Sequence, residues 1–401
     1  MRRNWVLGLA AAGLACAGGG TTSSPATSPA AADAPATEAA PAADYLVGVA
    51  SESGDIVTWL APRGDGLAVH HVVPVGVMPA DIDGPHNVAA APDQRSYYVT
   101  IAHGTPYGTL WRFDAATDTV LGRAPVELFP TTIALTPDGE LAFVANSDFH
   151  GDRPRVNPVS VVHTPTMTKI TDVAACDMPH GVKSNNAGTR VYVSCMHSDE
   201  ILEMDVSTLG IARRAKVGAG HAPAAHAGHG APVPPVPGAA APEPQAAGAA
   251  SAKACSPTFV SVSPDDRRLY VACNGSDRLL VLDAATLAVE REIPTGKGAY
   301  NVEPSPDGRW VVVTNKKDQS ISLVDARSLT EAARVPTSKK IVHGIAFSPD
   351  GRRAYISAES IGADPGAVDV LDLATRRVIG SIAVPAQPTG ITIRRLGPRQ
   401  P

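Results

Sequence analysis

The sequence predicts an all-β protein, a seven-bladed β-propeller whose ring is closed by pairing the C-terminal strand with N-terminal strands. Two observations predict this fold. First, one pattern occurs six times along the chain: an apolar strand, an SPDG-like turn, a second strand ending in YVxx, and a third strand ending in Asp or His. Four strands every ~40–50 residues are the signature of a propeller. Second, the two ends of the chain each carry part of one further repeat.

The six complete repeats are recognised by their turns and by where their strands end. The turns are APDQ (91–94), TPDG (136–139), NNAG (185–188), SPDD (263–266), SPDG (305–308) and SPDG (348–351). The second strands end at YVTI (98–101), FVAN (143–146), YVSC (192–195), YVAC (270–273), VVTN (312–315) and YISA (355–358). The third strands end at Asp114, His163, Asp205, Asp283, Asp325 and Asp372.

The seventh blade is assembled from both ends of the chain. PTGITIRRL (388–396) is a first strand with nothing after it, whereas YLVGVA (45–50), DIVTWL (55–60) and LAVHHVVPVG (67–76) are three strands without a first. Pairing them closes the ring and hides strand edges that would otherwise invite aggregation. These motifs resemble YVTN-repeat propellers of the YncE-like group over residues 45–396. The resemblance implies the fold but little about function, because propellers host many unrelated chemistries.

Composition excludes some classes of function. The net charge is −5 and only 4% of residues are aromatic, so neither a basic surface nor base-stacking side chains favour nucleic acid as a partner. After residue 20 no apolar run reaches the ~18 residues that a membrane-spanning helix needs.

The N-terminus has the features of an export signal. Arg2 and Arg3 precede an apolar run over residues 5–15, and small residues lead to Cys16. The stretch resembles a bacterial lipoprotein signal, which implies cleavage within residues 1–16 and a lipid on Cys16. Residues 17–44 are then a low-complexity tether, with the lipid as the only contact with the membrane. We expect a protein of the bacterial cell envelope, with plain secretion to the periplasm or outside as the alternative.

Histidines recur at one position of the repeat. In an antiparallel blade, the start of the first strand and the end of the second lie on the same face of the disc. The residue that opens each first strand reads His86, Thr131, His180, Thr258, Tyr300, His343 and Thr389 around the ring. The three histidines are spread almost evenly about the axis. We therefore expect His86, His180 and His343 to converge at the mouth of the channel.

Further polar residues follow the second strands on the same face. His103 and His197 lie four residues past aligned valines, Asp148 holds that place in the second blade, and His150 follows it closely. Imidazole is the commonest ligand of zinc and copper in proteins. The pattern predicts a transition-metal site, copper or zinc, made by these seven residues. The alternative is that the rings cap strands or fill space between blades.

The four cysteines beyond residue 16 fall in two matching pairs. Cys176 and Cys255 precede the first strands of blades three and four, and Cys195 and Cys273 end the second strands. We expect disulfides Cys176–Cys195 and Cys255–Cys273, which an oxidising compartment would permit; metal ligation by the thiolates is the alternative. Because no Cys-x-x-Cys-His occurs, the sequence also predicts that there is no c-type haem.

One insertion interrupts the repeats. Residues 219–254 are rich in Ala, Pro, Gly and His and lack apolar periodicity, which predicts a disordered segment above the same face of the disc.

The sequence therefore favours an exported binding protein with a histidine-lined mouth for a transition metal, a small ligand or a partner protein. The mouth resembles the histidine-lined propeller of nitrous oxide reductase, but the copper domain of that enzyme is lacking. The alternatives are a lactonase-like hydrolase, for which Asp83, Asp148 and Glu303 are the candidate carboxylates, and an interaction scaffold. No nucleophile elbow or phosphate loop is present, so binding is favoured over catalysis.

Overall fold

The computed structural model describes residues 43–77, 82–103, 108–149, 156–218, 254–360 and 363–397. The export signal with Cys16, the tether up to residue 42, His150 and the insertion up to residue 253 lie outside the described residues. Among the described residues the one helical element is a 3-10 turn, Glu52–Gly54, and no helix in this part of the chain is both long and apolar enough to cross a membrane.

The described residues form twenty-eight strands in seven four-stranded sheets. Blade 1 contains β4 (Pro85–Ala90), β5 (Ser96–Ile101), β6 (Thr109–Asp114) and β7 (Val120–Pro125); blade 2 contains β8 (Pro130–Leu135), β9 (Leu141–Asn146), β10 (Asn157–His163) and β11 (Thr168–Cys176). Blade 3 contains β12 (Pro179–Ser184), β13 (Arg190–Cys195), β14 (Glu200–Asp205) and β15 (Gly210–Lys216); blade 4 contains β16 (Pro257–Val262), β17 (Arg268–Cys273), β18 (Arg278–Asp283) and β19 (Val289–Pro294). Blade 5 contains β20 (Ala299–Pro304), β21 (Trp310–Asn315), β22 (Ser320–Asp325) and β23 (Thr330–Pro336); blade 6 contains β24 (Ile341–Phe347), β25 (Arg353–Glu359), β26 (Gly366–Asp372) and β27 (Arg377–Val384). Blade 7 contains β28 (Pro388–Arg395), β1 (Tyr45–Ser51), β2 (Ile56–Arg63) and β3 (Gly66–Pro74).

The ring closes between the two ends of the chain. In blade 7 the strand order is β28-β1-β2-β3, and β28 pairs antiparallel with β1 in a register that places Ile393 opposite Val47. In the other six blades the four strands follow one another in chain order. The predicted seven-bladed propeller and its closure are confirmed.

The core lies between the blades. Among the described residues, each buried apolar cluster joins two neighbouring blades, and the one between blades 7 and 1 is the richest in aromatic rings. There Trp59 meets the edge of Tyr97 with ring centroids 5.1 Å apart, and Tyr97 stacks on Phe113 at 4.9 Å. Closure is therefore held by apolar packing as well as by strand pairing.

The turn after each third strand shows why His163 can replace aspartate. In blade 1, Asp114 accepts hydrogen bonds from the backbone N–H of Ala116 and from both the N–H and the hydroxyl of Thr117. His163 Nδ1 lies 2.7 Å from the hydroxyl of Thr166, three residues further on. This histidine closes a turn on the face away from the mouth.

A β-bulge marks the start of each first strand. The register between β4 and β5 shifts between Pro85 and Asn87, and that between β12 and β13 shifts between Pro179 and Val182. Comparable shifts occur at the same place in the other five blades. A bulge bends its strand and redirects a side chain, and bulges are common beside functional sites. Here they fall on the position that holds His86 and His180.

Candidate functional site

The structure brings His86, His180 and His343 together at the mouth of the channel. The ring centroid of His86 lies 6.5 Å from that of His180 and 5.8 Å from that of His343. All three side chains are buried. The convergence expected from the shared repeat position is therefore present, although the three rings have different partners.

Glu52, in the turn after β1, links two histidines. Its carboxylate lies 2.7 Å from Nδ1 of His86 and 2.8 Å from Nε2 of His103. Burial raises the pKa of Glu52, but the charges and hydrogen bonds of the two histidines outweigh it and lower the pKa to about 2. The hydrogen bond to Glu52 raises the pKa of His103. Because a carboxylate only accepts, Nδ1 of His86 carries a proton.

Nε2, the other nitrogen of His86, is one of two buried ring nitrogens of the site that lack a hydrogen-bond partner among the described residues; Nδ1 of His343 is the second. With the proton fixed on Nδ1 by Glu52, Nε2 of a neutral ring presents a lone pair. A histidine whose second nitrogen is held by a carboxylate is the usual arrangement of a metal-ligating imidazole.

His180 has partners on both sides of its ring. Nδ1 donates to the carbonyl oxygen of Thr258 at 3.0 Å, so Nε2 is an acceptor, and the hydroxyl of Tyr300 donates to it at 3.1 Å. Burial, and then the nearby His86, lower the pKa of His180 to about 3. The ring of His180 is therefore neutral, and both of its nitrogens are hydrogen-bonded within the protein.

A second group of charged residues faces His86 across the mouth. Lys316 and Glu359 lie 3.7 Å apart, and the Lys316 ammonium sits 4.2 Å from the centroid of the Tyr300 ring. Burial lowers the pKa of Lys316, against the charge of Glu359, and burial raises the pKa of Glu359. Burial, followed by the positive charge of Lys316, also lowers the pKa of His343 well below its ordinary value.

These groups surround a cavity of about 300 Å³ with an aromatic wall. Phe129 contacts the edges of His86 and His103 at 5.5 and 5.2 Å between centroids, and Phe149 at the rim is 38% exposed. Phe129 has a φ of +52°, a left-handed conformation that is unfavourable for a bulky residue. The same conformation recurs at the equivalent positions Met178, Ser256 and Gln387, so it is a feature of the repeat.

The remaining predicted residues do not join this cavity. His197 is exposed, with Nδ1 3.3 Å from Asp177, and Asp148 lines a separate space of about 240 Å³ in blade 2. His150 is outside the described residues. Of the other carboxylates considered for hydrolysis, Asp83 binds the backbone N–H of Val77, and Glu303 lies in the channel away from the mouth.

Sequence reasoning missed three residues that form the electrostatic centre of the site. Glu52, Lys316 and Glu359 are each three residues past the valine or isoleucine that pairs with the first strand. His103 and His197 come one position later, four residues past that point. Reading the residue directly after each YVxx segment would have placed Lys316 and Glu359 on the mouth. Blade 7 has no such segment, so Glu52 is found only by aligning β1 with the other second strands.

One disulfide joins two blades and the other lies within one blade: Cys176 ends β11 of blade 2 and Cys195 ends β13 of blade 3, whereas Cys255 lies just before β16 and Cys273 ends β17, both in blade 4. Cys176–Cys195 and Cys255–Cys273 are both formed, with Cα atoms 6.0 and 4.5 Å apart. These are the pairs expected from the sequence, and all four residues are buried. The cysteines therefore fix strands on the face of the mouth and offer no thiolate to a metal.

Comparison with known proteins supports the fold and finds one partial match to a family model. The family model described as the cytochrome D1 heme domain matches residues 255–343. A curated relative, the seven-bladed beta-propeller protein Rv1057 of Mycobacterium tuberculosis, is 25% identical over 315 residues, which is 69% of each chain. The match to the haem domain includes Tyr300, Lys316 and His343, three residues that line the cavity.

Solved structures share the architecture. Hydrazine synthase from Kuenenia stuttgartiensis has a TM-score of 0.56 at 20% identity, covering 74% of this chain and 80% of that one. A functionally unknown protein from Desulfotomaculum acetoxidans has a TM-score of 0.66 at 11% identity, covering 88% of this chain and 99% of that one. At these identities the likeness concerns the fold alone.

The cofactor prediction is corrected by these findings. The sequence led us to expect copper or zinc and no c-type haem, whereas the matching family model is that of a haem domain. The absence of Cys-x-x-Cys-His excludes one way of attaching haem and not haem binding itself. In addition, no group of three or more His, Cys, Asp or Glu side chains in the described ranges is arranged to hold a metal ion. The physical reason is visible in His180, whose two nitrogens are both committed to other partners.

Proposed function

We propose that this protein is a haem-binding propeller that holds the cofactor at its mouth, where Nε2 of His86 would bind the iron. The buried, unpartnered Nε2 carries the proposal, because an orphaned buried nitrogen is costly unless a ligand takes it. The hydrogen bond that Nδ1 of His86 donates to Glu52 orients the ring. Histidine is one of the residues by which proteins hold haem iron.

The rest of the cavity suits the same group. Phe129, Phe149 and Tyr300 offer apolar ring faces, and Lys316 offers a positive charge to an acidic substituent. The cavity of about 300 Å³ is at the small end for a ligand site. A macrocycle therefore requires the partly exposed Phe149 side chain to turn outward from the rim. When bound, the haem would supply a redox-active iron.

A haem titration tests the function. The purified protein is titrated with hemin while the Soret band is recorded, and we expect a saturable shift at one haem per chain. His86→Ala should abolish that shift. His70→Ala is the matched control, because His70 is exposed on the outer strand β3, away from the mouth. No shift with the wild-type protein, or the same shift with His86→Ala, would show that the mouth does not bind haem.

A smaller ligand is the second candidate, because the cavity volume favours it. The residues that would recognise it are Lys316 and Glu359, which are close enough to bind both ends of a small polar molecule. If such a molecule is added to the protein and the Soret shift with hemin is then lost, this alternative is favoured. The YVTN-type resemblance fits either function.

We also propose that the protein acts outside the cytoplasm as a lipoprotein. The predicted signal with Cys16 supports this location, and so do the two disulfides, which form in oxidising compartments. Mass spectrometry of the membrane fraction should detect a lipid on Cys16. An unmodified N-terminal segment in a cytoplasmic protein would overturn this proposal.

A further inference from the structure

A second and larger cavity occupies the channel at the end opposite to the mouth. Its volume is about 640 Å³, and the inner strands of all seven blades line it. It shares no lining residue with the mouth cavity. Volumes of 300–1,000 Å³ are typical of small-molecule sites, so this end of the channel can hold a ligand of its own.

One repeat position gives this cavity two unlike halves. The residues three positions after the mouth ring are Ala89, Ala134, Lys183, Ser261, Glu303, Ala346 and Thr392. All of these except the buried Ser261 line the cavity. Blades 3 and 5 thus contribute a cation and a carboxylate, while blades 1, 2 and 6 contribute alanines. Towards the exit, Leu135, Phe347 and Ile393 extend the apolar half.

The polar half is a connected group. Nζ of Lys183 lies 2.5 Å from one oxygen of Glu303, and Ser261 donates to the other oxygen at 2.7 Å. Lys183 and Glu303 are the only charged residues among the described residues that line the cavity. Their side chains are 38% and 27% exposed, and ion pairs exposed to this extent are worth little. A ligand can therefore separate the pair at small cost.

We propose that this cavity binds a small zwitterion with an apolar body, such as an apolar α-amino acid. Its carboxylate would bind Lys183 and its ammonium group would bind Glu303, so that each charge in the ligand replaces one in the ion pair. The alanine side would accommodate the apolar body. A lone acid or amine would leave Glu303 or Lys183 beside a like charge, which costs binding energy.

Calorimetric titration with L-phenylalanine tests this proposal on the whole protein. We expect saturable binding at one site, weakened at least about tenfold by Lys183→Met and by Glu303→Gln, because each removes a charge-assisted hydrogen bond. Ala89→Leu should also weaken it by filling the apolar half. Hydrocinnamate and phenethylamine each lack one charge and should bind at least about tenfold more weakly than the amino acid.

Matched controls separate this site from loss of fold and from the mouth. Lys340→Met removes an exposed lysine before β24, at the other end of the channel, and should leave binding unchanged, as should His86→Ala. Thermal melting of each variant establishes that the blades remain folded. If the wild-type protein gives no saturable heat, if folded Lys183→Met binds equally well, or if hydrocinnamate binds as tightly as phenylalanine, the proposal is wrong.

Discussion

The carboxylate of Glu52 lies 2.7 Å from Nδ1 of His86 and, through its other oxygen, 2.8 Å from Nε2 of His103. One buried acid thus fixes which nitrogen of the His86 ring carries a proton. The contact joins blade 7, assembled from both ends of the chain, to blade 1. Ring closure and site formation therefore depend on each other.

Glu52→Gln should weaken haem binding by roughly 10- to 100-fold, the usual effect of losing the carboxylate behind a ligating histidine. It should also bring the pKa of His103 down, because the hydrogen bond to Glu52 is what raises it. Hemin titration and NMR titration of the histidines measure the two effects. Glu290→Gln, at an exposed ion pair with Arg268, is the control. An unchanged pKa of His103 would contradict the role given to Glu52.

The free energy of unfolding should fall as the pH drops below about 6.5, the ordinary pKa of histidine. The pKa values of His180 and His343 are lowered in the folded state, so below that pH the unfolded chain takes up protons that the folded chain does not. Each histidine then contributes a slope of up to about 1.4 kcal/mol per pH unit. Below about 4.5 Glu52 adds to the loss, because its pKa is lowered to about 2.

Urea unfolding of His180→Gln at several pH values between 5 and 7.5 isolates one of these histidines. The slope of the unfolding free energy against pH should become shallower by the contribution of one histidine, up to about 1.4 kcal/mol per pH unit. His163→Gln, on the opposite face, should keep the wild-type slope. His103 acts in the opposite direction, because its pKa is raised. A wild-type slope in His180→Gln would contradict the buried neutral state of this ring.

Gly84→Ala should destabilise the protein more than Gly64→Ala. Both glycines have positive φ, +67° and +58°, so alanine at either position costs roughly 1–2 kcal/mol in backbone strain. At Gly64 an added Cβ meets nothing within 4 Å, whereas at Gly84 it would lie 2.0 Å from Cδ2 of His103. This clash should cost roughly a further 1–3 kcal/mol. The free energy of unfolding, measured with urea, should therefore be lower by this amount in Gly84→Ala than in Gly64→Ala. Equal losses would show that His103 can move aside.

Removing either disulfide should cost about 3 kcal/mol, the chain-entropy value for a loop of this length. The pairs are separated by 19 and 18 residues, so the double variants Cys176→Ala/Cys195→Ala and Cys255→Ala/Cys273→Ala serve as controls for each other. Urea unfolding measures both. A loss in one pair only would mean that native packing, rather than loop closure, sets the effect.

Deleting residues 388–401 should abolish cooperative folding, because it removes β28 and leaves the edge of β1 unpaired. Ending the chain at residue 397 keeps the whole strand and is the matched control. Circular dichroism during thermal melting compares the two. A cooperative transition in the shorter chain would show that six blades and an open seventh are stable.

The seven-bladed ring could be predicted from the amino-acid sequence. The SPDG-like turns, the YVxx strand ends and the split seventh repeat are local patterns, and each recurs often enough to specify the seven blades and their closure. The same repetition aligned His86, His180 and His343, and it paired the four cysteines. A repeated motif fixes which residues share a level of the ring, because every blade has the same backbone.

The hydrogen-bond partners of those residues could not be predicted and became visible in the folded structure. Whether a histidine nitrogen is free or engaged depends on the neighbouring blade: Glu52 holds His86 from blade 7, and Thr258 and Tyr300 engage His180 from blades 4 and 5. His180 and Tyr300, for example, are 120 residues apart in the chain. Their contact depends on side-chain direction at a bulge, which the repeat pattern does not encode. The three-histidine metal site failed for this reason, while the ring that carries it was predicted correctly.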